Sequence, residues 1–146
     1  MTRCVSPEIN WARPHFSIHG IIMSHTNKPA LLVVRQYHTA WSTGNFDVAA
    51  NFLGDALHVE VPVNHYPDKA SFVTALTGFG GLVRKLELLA EFGDGDQAML
   101  LYDMEVDPLG TMRIAEHFTV VGGKIVRLRQ IHDTAALRAA GFVREA

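Results

Sequence analysis

Glu116 interrupts an otherwise apolar face. Between residues 112 and 120, Met112, Ile114, Phe118 and Val120 recur at every second position, and the carboxyl of Glu116 shares their parity. A carboxylate on a buried strand face is desolvated, which pushes its pKa upward and lets the neutral acid donate a hydrogen bond. With a tyrosine opposite, such a donor can stabilise the enolate formed when a base removes the proton beside a carbonyl. Tyr37 supplies the tyrosine, and His132, on one parity with Leu128 and Gln130, is the candidate base. Each has a plainer reading beside it. Glu116 can be a structural hydrogen-bond partner, Tyr37 and Trp41 packing on a core stripe, and His132 part of the helix start at Asp133.

Further polar candidates carry less definite directions. Apolar alternation buries Leu100, Tyr102 and Met104 and turns Asp103 outward, unless a bulge reverses it. His58 and Glu60 alternate with Val59 and Val61, which read as the buried pair. Tyr102, Phe118 and Gln130 join Tyr37, Trp41, His58 and Glu60 as candidate ligand contacts. Histidines 38, 58, 65, 117 and 132 form no His-x-His or His-x-x-x-His pair with one another, so no metal site is expected. No phosphate-cradling glycine loop is present, and Gly78-Phe-Gly-Gly reads as a turn.

Composition narrows the setting. The 146 residues suit one domain with a single core, since a chain of this size buries roughly two-thirds of its unfolded surface. Thirteen bases against 15 acids, with no basic block, leave no footprint for nucleic acid. The one cysteine, Cys4, excludes an intrachain disulfide and a Cys-x-x-Cys pair, which suits a reducing cytoplasm. Apolar runs such as Ile18 to Met23 fall short of the ~20 residues a membrane span needs. Residues 1–26 lack apolar periodicity and read as a flexible arm, and Met23 competes with Met1 as the start of the chain.

The elements that must position these groups follow from residue 27. Asn27 and Pro29 open a helix whose stripe is Ala30, Val33, Val34, Tyr37 and Trp41. Asn45 caps a second helix carrying Val48, Ala49, Phe52 and Leu53, stopped by Gly54. Leu57 to Val61 is a strand ended by Pro62, and Asp68 caps a third helix closed by Thr77-Gly-Phe-Gly-Gly. From Arg84 the period becomes two, with Leu86, Leu88, Ala90 and Phe92 on one face. Turns at Gly93-Asp-Gly-Asp, Asp107-Pro-Leu-Gly and Gly122-Gly123 join four strands, and Asp133 caps a helix over 134–140. Helices followed by hairpins predict an α+β domain over 27–146, with three N-terminal helices packed on a curved antiparallel sheet and a short C-terminal helix.

Three stretches, Tyr37-His-Thr-Ala-Trp-Ser-Thr-Gly-Asn-Phe-Asp, Val59-Glu-Val-Pro and Ala115-Glu-His-Phe-Thr-Val-Val-Gly-Gly-Lys-Ile, resemble the nuclear transport factor 2-like superfamily, particularly its SnoaL-like branch. The resemblance spans residues 28–143 and implies a cone-shaped α+β barrel around a small hydrophobic ligand. Ketosteroid isomerases of that fold resemble this chain at Tyr37 and Glu116, but Val61 stands where their base is. The limonene epoxide hydrolase pattern keeps Asp103 and finds Leu101 and Gln130 in place of its arginine and second acid, and its register turns Asp103, His58 and Glu60 to the cavity. SnoaL-type polyketide cyclases place their catalytic acid at Glu116. The resemblance thus implies a cofactor-free isomerase- or cyclase-type enzyme on an apolar carbonyl or polyketide-like ligand, with a non-catalytic binder as the alternative. It also implies a homodimer through the outer sheet face, where Arg113, His117, Thr119, Arg127 and Arg129 lie.

Overall fold

A computed structural model describes residues 29–143. The N-terminal arm, the question of the start, and the Asn27 cap lie outside the described residues. Helix α1, Ala30–Ser42, follows Pro29 and buries the stripe Val33, Val34, Tyr37 and Trp41. Helix α2 is shorter than its sequence suggests. It covers Phe46–Ala50, and the side chain of Asn45 donates to Thr43 Oγ1 at 3.0 Å instead of capping it. Leu53 and Gly54 open strand β1, Leu53–Glu60, where Gly54 lies against the backbone of Ile125.

Helix α3, Lys69–Gly80, starts as its sequence predicts: the Asp68 carboxylate accepts the Ser71 N–H at 2.7 Å in a capping box. It continues through the glycines expected to stop it. At Gly80 a Cβ would lie 2.6 Å from the ring of Phe46, so glycine there lets α2 and α3 meet closely.

Strands β2 (Val83–Asp94), β3 (Gln97–Val106), β4 (Gly110–Val121) and β5 (Lys124–Ile131) precede α4, Ala135–Ala139. The sheet order is β1-β5-β4-β3-β2. Three pairings are antiparallel and β1 runs parallel to β5, so the curved sheet is mixed and does not close into a barrel. Hairpins force antiparallel neighbours, whereas β1 meets β5 only through the rest of the chain, which leaves its direction free.

Strand β2 corrects the even alternation read from Leu86 to Phe92. Leu88 pairs with Tyr102 and Ala90 with Leu101, so Leu89 is extra and the parity reverses beyond it. Glu91 consequently turns toward α1, where Arg35 Nε donates to it at 2.8 Å, and Phe92 stands 72% exposed on the outer face. One continuous core lies between α1 and the inner sheet face, built on Tyr37, Leu100, Tyr102, Phe118 and Leu128.

Candidate functional site

The cross-strand register stacks inward-facing residues in rows. Phe118 shares a row with Ala98 and Leu128, and the next holds Leu100, Glu116 and Gln130. The row above pairs Tyr102 with Ile114, and the one beyond pairs Met104 with Met112. The Phe118 row is sealed, for Tyr37 stacks edge-on against Phe118 with ring centroids 6.0 Å apart. Above it the sheet and α3 diverge around a cavity of about 910 Å³ whose floor is Glu116 and whose far wall includes Phe72, Leu76 and Phe79. The segments after β1 and after α4 meet at its rim, where Asn64 Nδ2 donates to the Phe142 carbonyl at 3.2 Å.

Glu116 is 2% exposed. Its two oxygens accept separate hydrogen bonds, Oε2 from the Tyr102 hydroxyl and Oε1 from Gln130 Nε2, each at 2.9 Å. Burial raises its pKa to about 7 against the lowering effect of those two donors. Near neutral pH the carboxyl therefore exists in both forms. Tyr37 and Tyr102 are held firmly as phenols, their pKa values raised by burial and by the field of Glu116.

His132 lines the cavity two residues beyond Gln130. Its Nδ1 lies 3.0 Å from the Asp133 carbonyl, which only accepts, so Nδ1 carries the proton and Nε2 of the neutral ring keeps its lone pair. The Asp133 carboxylate accepts the Ala135 N–H at 2.8 Å in a turn just ahead of α4, whose N-cap is Thr134 and not Asp133 as the sequence suggests. Trp41 also reaches the cavity. Behind Trp41 and Tyr102 sits His38, 6% exposed, its ring edge-on to both at 5.3 and 4.7 Å. Burial lowers its pKa to about 4, and neither ring nitrogen has a hydrogen-bond partner among the described residues.

Four sequence candidates stand away from the cavity. Phe118 lies one row beneath its floor. Asp103 faces outward, as apolar alternation requires, and receives Arg113 Nε and Nη2 at 2.7 and 2.8 Å, which holds its carboxyl below the usual range. Glu60, also outward, is hydrogen-bonded by Arg127, lies 2.9 Å from Arg129 Nε and 3.2 Å from His58 Nε2, and its pKa is lowered chiefly by the Arg127 bond. His58 shares that surface cluster. Cavity residues that the sequence does not single out include Met104, Met112 and Ile114, whose buried parity is legible, the α3 face, which reads as ordinary core, and the segment after β1 with Tyr66.

A family model, the SnoaL-like domain, matches residues 34–128. The chain belongs to the SnoaL-like family. Among solved structures, this SnoaL-like chain is similar to a protein from Kribbella flavida, at 29% identity and TM-score 0.74 over 80% of this chain and 96% of that one. It is also similar to an NTF2-like protein from Cytophaga hutchinsonii, at 19% identity and TM-score 0.68 over 78% and 98%. An LEH-like epoxide hydrolase from M. tuberculosis aligns at 21% identity and TM-score 0.62 over 75% and 86%. The last two likenesses are of fold. Comparison with curated proteins gave no match. Among the described residues no helix is long and apolar enough to cross a membrane.

Proposed function

We propose that this SnoaL-like chain is a cofactor-free enzyme of the isomerase or cyclase type, acting on a small, largely apolar carbonyl compound. The observation that carries this reading is a buried carboxyl at the floor of an apolar cavity, the one acid among the described residues that line it. In its neutral form Glu116 donates to the carbonyl oxygen. His132 Nε2 takes the proton from the adjacent carbon, the C–H electron pair moves into the enolate, and the oxygen gains negative charge against the Glu116 donor. Return of the proton to another carbon gives an isomer, and attack by the enolate carbon on a second carbonyl closes a ring. Epoxide opening in the manner of the hydrolase neighbour fits less well, since Asp103 is engaged by Arg113 on the opposite face.

Incubation of 2-tridecanone in D2O, followed by proton NMR, tests this. Wild type should exchange the protons beside the carbonyl, Glu116→Gln should slow exchange by about 10²-fold, and His132→Gln should do the same. Exchange no faster than in buffer would end the enzyme reading. Saturable binding of the ketone without exchange would then support the non-catalytic binder, which the presence of Val61 at the isomerase base position favours.

We also propose a homodimer through the outer sheet face, because Phe92 and Ile131 are each 72% exposed there, flanking the paired Arg113, Arg127 and Arg129. Light scattering should give twice the chain mass, and a monomer at high concentration would refute it.

A further inference from the structure

The cavity carries a feature that acid–base chemistry does not use. Met104 and Met112 are direct cross-strand partners, both buried, and both line the cavity. Met112 and Glu116 are four positions apart on β4 with the same parity. At about 3.3 Å per residue the backbone positions of Met112 and Glu116 are at most about 13 Å apart along the strand, which bounds the length of tail that reaches the pair. Ile114, between them, is a smooth apolar step on the same strip. Methionine is unbranched and polarisable, so two facing each other make an adaptable contact rather than a fixed-shape wall.

We propose that the Met104–Met112 pair is a second anchor, gripping the tail of a ligand whose head rests on Glu116, so that the site selects elongated apolar bodies. This rests on the reading of Glu116 as the head-binding group. That bound of about 13 Å corresponds to roughly ten carbons of extended chain, with bonds of about 1.5 Å laid in zig-zag. A short ketone held at Glu116 ends before the pair. A long one lies between the two thioethers, and the tail buries its methylenes against them.

The affinities of 2-hexanone and 2-tridecanone, measured by calorimetry on the full chain, test the proposal through their ratio. Wild type should prefer the longer ketone strongly, and Met104→Ala/Met112→Ala should shrink that preference by about tenfold. Met104→Leu/Met112→Leu, which keeps volume and hydrophobicity and so guards against misfolding, should restore most of it. An unchanged ratio in the alanine double variant overturns the proposal. Glu116→Ala should weaken both ketones by one common factor. If it weakens neither while the methionine variants still alter the ratio, the head assignment fails and the tail anchor survives. Failure of both ketones to bind rejects both.

Discussion

Tyr102 donates to Glu116 across a diagonal: its direct partner on β4 is Ile114, yet its hydroxyl reaches the carboxylate two positions further along, at 2.9 Å. A long side chain on a strongly curved sheet spans such a diagonal readily. The contact ties the ionisation of the cavity floor to the side chain forming the next row of its wall.

Removal of that donor shifts the acid. In Tyr102→Phe the carboxylate loses one of the two hydrogen bonds that favour its ionised form, so the Glu116 pKa should rise above about 7. Titration of the side-chain carboxyl by carbon-13 NMR measures this without a substrate. A value at or below that of wild type would show that Tyr102 does not control the site.

Two buried groups should oppose one another in the pH dependence of stability. Burial raises the Glu116 pKa from 4.5 to about 7, so its contribution is complete below 4.5 and is lost as pH rises through 7. Burial lowers the His38 pKa from 6.5 to about 4, so its contribution is complete above 6.5 and is lost as pH falls through 4. Between 4.5 and 6.5 the slopes have opposite sign and largely cancel. Relative to wild type, Glu116→Gln should gain stability as pH rises from 4.5 to 7. His38→Phe should gain it as pH falls from 6.5 to 4, each by about 3 kcal/mol. Urea denaturation across this range checks both signs.

Gly80→Ala should destabilise by about 1–3 kcal/mol, although alanine is the better helix former, because the new methyl meets the Phe46 ring at 2.6 Å. Phe46→Leu in the same chain should recover part of the loss. Additive effects in a thermal double-mutant cycle would contradict the contact.

Glu60→Gln tests the outward placement of Glu60, which the sequence alone offers as a ligand contact. It disrupts a surface cluster with Arg127, Arg129 and His58 and should leave ketone affinity at the wild-type value. A severalfold loss of affinity in calorimetry would place Glu60 at the cavity after all.

Glu116 was legible in the sequence because parity is a strict code: one polar residue among Met112, Ile114, Phe118 and Val120 must point where they point. For Asp103 the code points outward while the resemblance to the epoxide hydrolase pattern points inward, and the unbroken pairing of β3 with β4 decides for outward. The code fails on β2, where Leu88 and Leu89 are adjacent and either can take the inward place. Only the pairing with Tyr102 and Leu101 shows that Leu89 is the extra residue. Phe118 reads as a ligand contact in the sequence because parity gives the face and not the depth. Its row is closed by Tyr37, a contact made from another element. His38 carried no signal, since a histidine beside a core stripe looks the same whether its nitrogens find partners or not.

The parallel seam between β1 and β5 bears on how the molecule is born. The segment Leu53–Glu60 leaves the ribosome well before Lys124–Ile131 has been translated, while β2, β3 and β4 can zip up locally as each hairpin emerges. The last strand must then slot between two waiting edges, β1 on one side and β4 on the other. Until it does, both edges offer bare backbone to other chains, and a nascent chain stalled before Lys124 is correspondingly prone to aggregate.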